Sequence, residues 1–150
     1  MIRPIQPSDI MELLELGRNM HAQGHFKHTQ YDDEKVINLF MGIIANDSQC
    51  CFVAVNAGET IGFFMGYIDT YYFGNTKTSY DLLIYVDEKH RGSSTGVKLL
   101  QCYINWARDH GVTDNNIRLG DSAEIDSEAV GRLYKHMGFR EHGKLYVLGG

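Results

Sequence analysis

The stretch from Val86 through Leu100, V-D-E-K-H-R-G-S-S-T-G-V-K-L-L, does most to limit the fold. It carries an apolar, strand-like run through a short loop of small residues into an amphipathic helix, which commits the chain to a strand-loop-helix unit. The same geometry makes an anion cradle. N–H groups in the loop and the first helical turn have no intrahelical acceptor and sit at the positive end of the helix. The small residues Gly92, Ser93, Ser94, Thr95 and Gly96 keep the approach open, and Arg91 stands at the mouth. A capped helix that binds nothing can read the same way, because Ser and Thr begin many helices. Companion motifs have to separate the two.

The remaining pattern supplies the other elements. Ile2 to Ile5 reads as a short strand ending before Pro7, and Ser8 or Asp9 then opens a helix with Ile10, Leu13, Leu14, Leu16 and Met20 at helical spacing. After a stretch of Gly, His, Lys and Gln, Asp32 or Asp33 caps a second helix with Val36, Leu39, Phe40, Ile43 and Ile44 inward. Residues 51–55 and 61–68 are β-rich runs separated by a hairpin-like break and should pair antiparallel. Further strands are expected over 80–86, 117–119 and 144–148, with helices over 96–110 and 126–137, the last capped by Asp126 and ended by Gly138. The resulting order, β-α-α-β-β-β-α-β-α-β, is that of an α/β domain with a mixed central sheet, and at 150 residues a single domain over 1–150 is expected.

Charge and cysteine content narrow the functional classes. With a net charge of −5 and scattered Lys and Arg, the chain lacks the basic stripe that neutralises nucleic-acid phosphates, so no nucleic-acid partner is expected. Cys50, Cys51 and Cys102 are odd in number and two are adjacent, a poor disulfide framework that suits a reducing compartment. The first residues lack the apolar core of a signal peptide, and no apolar run approaches the ~20 residues of a membrane span, so a cytoplasmic location and no membrane partner are expected.

A second motif gives the loop its meaning. The run D-S-E-A-V-G-R-L-Y-K-H-M-G-F, residues 126–139, contains Leu133-Tyr134 followed by Gly138-Phe139. Together with Arg91-Gly92-Ser93-Ser94-Thr95-Gly96 and the order of elements, it resembles the GCN5-related N-acetyltransferase (GNAT) family over nearly the whole chain. The family's loop is Arg or Gln, two variable residues, Gly, a variable residue, then Gly or Ala; Ser94 replaces its first glycine. A serine fits there if its φ is negative.

The resemblance implies an acetyl-CoA-dependent N-acetyltransferase, with acetyl-CoA as co-substrate and a primary amine on a small molecule or a protein attacking directly. It implies that residues 91–96 hold the pyrophosphate, and that Ile84, Tyr85 and Val86, splayed from a neighbouring strand at a bulge, pair with the pantetheine arm like an added strand. Backbone donors there would polarise the thioester carbonyl, and Tyr134 would protonate the departing thiolate. Asp126 stands where the family often has Asn and is counted with the cofactor-binding residues. The amine proton would go to Asp81, provided the register turns it to the correct face, or to a bound water, with Asp121 and Glu124 in reserve. A homodimer through late strands also accords with the family. The rival class is a non-catalytic acyl-CoA-binding or protein-interaction module on the same fold; a third reading is an unrelated nucleotide-phosphate-binding domain.

Simpler roles compete for several of these residues. Tyr134 can be a packing aromatic beside Leu133, and Asp81 a solvated carboxylate near a strand start. His21, His25 and His28 have spacing that invites a metal, but no Cys or acidic pattern completes a site and none is expected. The resemblance places them in a loop lining the acceptor pocket instead. Phe63 and Phe64 should face opposite sides of a strand, whereas Tyr71, Tyr72 and Phe73 read as loop-borne, exposed and the better substrate contacts.

Overall fold

A computed structural model describes residues 1–121 and 124–149. Its centre is an antiparallel sheet in the order β1-β2-β3-β4, built from β1 (Ile2–Pro4), β2 (Gln49–Asn56), β3 (Glu59–Thr70) and β4 (Lys77–Val86). Period-2 alternation sorts the strand residues onto two cores. Cys50, Ala54, Ile61 and Phe64 face one side, where α3 (Thr95–Asp109) covers them with Leu99, Leu100, Tyr103, Ile104 and Ala107. Cys51, Val53, Phe63, Met65 and Tyr85 face the other, under α1 (Ile10–Gln23) and α2 (Asp33–Ile44). Phe63 and Phe64 thus serve opposite cores, as the alternation requires.

Local chemistry explains the element ends. Asp32 caps α2 by accepting from Lys35 N at 3.2 Å, and Asp126 caps α4 (Ser127–His136) by accepting from Ala129 N at 3.1 Å. Gly138, at φ +96°, takes the left-handed conformation that ends α4. Asp9 stands before α1 without capping it through its side chain; its carboxylate receives two guanidinium bonds from Arg3, at 2.7 and 2.8 Å, and the N–H of Gln6.

Two expected strands do not form, and the sheet is antiparallel rather than mixed. Residues 117–119 make one parallel bridge, Ser79 to Ile117, with Arg118 N donating to Ser79 O at 3.0 Å. The ladder stops there because the next outward N–H, that of Gly120, donates to the side-chain Oδ1 of Asp81 at 2.7 Å. A carboxylate between the two backbones holds them apart. Residues 144–148 consequently have no strand to join, and Leu145, Tyr146, Val147 and Leu148 are exposed. Among the described residues no helix is long and apolar enough to cross a membrane.

Candidate active site

The site is assembled along the outer edge of β4. The pairing of β3 with β4 shifts register between Met65–Leu83 and Gly66–Asp81, leaving Leu82 as the extra residue of a β-bulge. Beyond the bulge, Asp87 N donates to Ile61 O, which makes 61–87 a hydrogen-bonded pair. Antiparallel alternation then turns the backbone groups of Tyr85 toward Phe63, and those of Ile84 and Val86 outward. The expected set of edge residues is therefore corrected. Tyr85 contributes no edge backbone; its ring is buried against the α1 and α2 core.

The loop continues this edge into α3. Gly92 adopts φ +81°, which only glycine takes readily, while Ser94 is at φ −76°, so the serine sits in the family's glycine position without backbone strain. Ser94 is the N-cap residue of α3, yet its side chain makes no capping bond. Ser93 Oγ is occupied locally, donating to His90 O at 2.6 Å and lying 2.9 Å from Thr95 Oγ1. The first-turn N–H groups of Gly96 and Val97 have no acceptor within the helix. Gly96 has a second role: a Cβ there would lie 3.1 Å from Leu133 Cδ2, so its bareness lets α4 press against the start of α3.

Arg91 does not extend freely into the cradle. Its Nε donates to Val86 O at 2.9 Å and its Nη2 to Gln23 Oε1 at 3.0 Å, while the guanidinium stands 5.4 Å from the centre of the Tyr85 ring. Gln23 in turn donates through Nε2 to Tyr85 Oη at 3.0 Å. Nothing local in the sequence signals Gln23, which meets Arg91 across 68 positions.

On the other side of the bulge, Asp81 and Tyr134 meet at one residue. Gly120 N donates to Asp81 Oδ1, and Tyr134 Oη donates to Gly120 O at 2.6 Å. Asp81 lies opposite Gly66 in a register that turns it toward the α3 and α4 face, where Tyr134 also lies. Burial, reinforced by the charge of Asp121 and partly offset by the Gly120 N–H, pushes the Asp81 carboxyl up to about 6. Its Oδ2 is buried without a hydrogen-bond partner among the described residues. Burial, with the negative charges of Asp81 and Asp121, also pushes the Tyr134 phenol up, so its proton is firmly held. Gly120 is the residue that sequence reasoning missed; a glycine closing a short apolar run was its only trace.

The reserve carboxylates and the histidines converge nearby. Asp121 accepts from Ser127 Oγ and from Glu124 N, and Glu124, at φ +49°, pairs with His25 Nδ1 at 3.5 Å. Ile125 packs against the core beneath α1 and α2. The turn His25–His28 therefore reaches across to the segment before α4. His21 and His28 make local bonds instead, to Thr29 Oγ1 and His25 O. Asp126 is spent on capping α4. Tyr72 and Phe73 are exposed, at 95% and 75%, on the β3–β4 hairpin, as expected; Tyr71 is anchored by Arg118 Nη2 at 2.9 Å and by Asn116.

A bulged edge strand that runs into a glycine-bearing loop and a helix N-terminus, with a tyrosine from the last helix beside it, defines an acyl-coenzyme A transferase fold. The sequence model described as "Acetyltransferase (GNAT) domain" matches residues 47–141, more than half of the chain, and the chain belongs to that family. No curated protein matches it in sequence. Among solved structures, the aminoglycoside 6'-N-acetyltransferase of Acinetobacter haemolyticus is similar at 18% identity and TM-score 0.76, covering 100% of this chain and 97% of the other. A ribosomal-protein-alanine N-acetyltransferase from Brucella melitensis gives 17%, 0.75, and 100% and 98% coverage. A protein of Clostridium acetobutylicum described as a predicted acetyltransferase, solved with acetyl-CoA, gives 18%, 0.75, and 99% and 95%. At these identities the likeness is one of fold.

Proposed function

We propose that this chain transfers the acetyl group of acetyl-CoA directly to a primary amine. The observation that carries the reading is a single continuous edge: the outward backbone of Ile84 and Val86 runs into the loop Arg91–Gly96 at one end and reaches Asp81 and Tyr134, across the Leu82 bulge, at the other. The residues present suit the co-substrate. The first turn of α3 offers N–H donors to a pyrophosphate, the edge offers alternating N–H and C=O groups to the amides of an extended arm, and the bulge ends the pairing where chemistry is needed.

Acetyl-CoA, when bound, supplies an activated acyl carbon and a thiol leaving group. The chain supplies binding and proton handling. Edge N–H groups near Ile84 and Val86 would polarise the thioester carbonyl. Asp81, a stronger base than an ordinary carboxylate yet ionised near neutral pH, would take the proton of the amine at Oδ2, directly or through a water. Tyr134 would deliver its phenolic proton to sulfur, exchanging its bond to Gly120 O for one to the leaving group. The raised pKa holds that proton on the phenol in the resting site and makes the phenol a weaker acid, so its transfer depends on the negative charge that develops on sulfur beside it.

The test is transfer of radiolabelled acetyl groups to a panel of amines, with released thiol measured in parallel. Because relatives of the fold are named for acting on aminoglycosides and on a ribosomal protein, the panel spans aminoglycosides, polyamines and peptides with free N-termini or lysines. Label in one acceptor class with equal thiol release is the expected result. Tight CoA binding by calorimetry without transfer to any class would instead make the chain an acyl-CoA-binding module.

A further inference from the structure

The geometry points to Gln23 and Tyr85 as positioning residues that hold Arg91 at the mouth of the coenzyme cradle. This inference rests on the acetyl-CoA reading above. An arginine on a loop between a strand and a helix has four side-chain torsions to order, and ordering them on ligand binding costs affinity. Here the ordering is already done. Nε is fixed to Val86 O, Nη2 to Gln23 Oε1, and the flat guanidinium lies over the Tyr85 ring. Gln23 cannot rotate freely either, since its Nε2 is engaged by Tyr85 Oη, and Tyr85 is itself 3% exposed in the core. The rigid core thus fixes the phenol, the phenol fixes the amide, and the amide fixes the guanidinium.

Two of the five guanidinium N–H donors are used in these bonds, which leaves three for an anion. Their placement matters because the arginine also touches Val86, the last outward-facing residue of the edge. A cation held there joins the two parts of the coenzyme site, the edge that takes the arm and the helix start that takes the phosphates. Both positioning residues come from outside the loop: Gln23 ends α1, and Tyr85 lies on the face of β4 opposite α3. The cradle is therefore preorganised from the far side of the sheet.

The test is calorimetric titration of CoA into the full chain and its Gln23→Ala, Tyr85→Phe, Arg91→Ala and Gln23→Ala/Arg91→Ala variants. Gln23→Ala should weaken CoA binding by about fivefold to tenfold, the effect of a lost hydrogen bond to a charged group, and Tyr85→Phe by about threefold. In the Arg91→Ala background, Gln23→Ala should change nothing further, because the residue acts through Arg91. Gln23→Glu still accepts from Arg91 but adds a negative charge beside the phosphates, so it should hold the guanidinium and yet bind CoA more weakly than the parent, by a margin that added salt narrows. A merely structural role gives equal losses in both backgrounds, and that pattern overturns the inference, as does unchanged affinity in Gln23→Ala with the melting temperature intact. A parent chain that binds no CoA overturns the acetyl-CoA reading itself, a distinct outcome.

Discussion

The two sides of the Leu82 bulge are built from different materials. Toward α3, the proposed coenzyme end consists mostly of backbone: outward groups of Ile84 and Val86, a positive φ at Gly92, and the N–H groups of the first turn. Toward the hairpin, the proposed chemical end consists of two side chains, Asp81 and Tyr134, closed on the N–H and C=O of Gly120. Backbone groups survive most substitutions, whereas a phenol and a carboxylate do not. Mutations should therefore split into mild effects on coenzyme binding and severe effects on rate.

Tyr134→Phe is the severest way to try that division. With Tyr134 as the proposed general acid, the variant should lower kcat by about a hundredfold or more, while KM for acetyl-CoA should stay within about twofold because the ring and its packing remain. Single-turnover kinetics with the acceptor in excess is the measurement. A fall in coenzyme affinity matching the fall in rate would dissolve the distinction between the two ends.

Asp81→Asn separates activity from stability with opposite signs. The rate should fall by about a hundredfold, and the parent's rise in kcat with pH, through the Asp81 value of about 6, should flatten. Stability should move the other way. The folded-state carboxyl is raised above its unfolded value, so the native state holds the proton more tightly; the parent loses stability as pH rises from the unfolded value through about 6, and the loss is complete above it. Asn carries no such penalty and still accepts from Gly120 N, so the variant should gain roughly 1–3 kcal/mol near neutral pH and nothing in acid. Chemical denaturation at several pH values reads this directly. Asp9 has the opposite sign: its carboxyl is lowered first by the Arg3 bonds, so its contribution is present above the unfolded value and lost as pH falls through the folded one.

What could be read from the chain beforehand follows the range of the cause. Asp32 and Asp126 cap α2 and α4 through N–H groups three residues on, Gly138 ends α4 at its own φ, and the β2–β3 turn falls at Ala57 and Gly58, both with positive φ; each needs only its neighbours. The same holds for the sorting of Phe63 and Phe64 onto two cores. Strand pairing at 117–119 was not legible in this way, because it is decided by where the Asp81 carboxylate goes, and residues 144–148 depend on that outcome in turn. Of the proposed site, Tyr134 and the loop announce themselves by motif. Gly120, Gln23 and the inward backbone of Tyr85 do not, since each is set by a partner distant in sequence or by strand register.

Smaller perturbations test the backbone end. Gly92→Ala forces a residue with Cβ to φ +81°, at a cost of about 1–2 kcal/mol in stability or loop order, and CoA affinity should fall by about tenfold at most. Calorimetry and thermal melting of the same preparation distinguish the two expressions of that cost. An Ala variant with parental affinity and melting temperature would mean that the loop relaxes to another conformation at no cost, and the coenzyme end would then owe nothing to this turn.

Ser94→Gly restores the family's glycine and should matter least. Ser94 already sits at φ −76°, its side chain caps nothing, and an N-cap change to glycine costs only a few tenths of a kcal/mol. If the site is a backbone cradle, restoring the glycine should leave CoA affinity within about twofold, because the donors it presents are unchanged. A larger gain on substitution would mean that the serine side chain crowds the phosphates. A larger loss would mean that its hydroxyl binds them, and the coenzyme end would then depend on a second side chain besides Arg91.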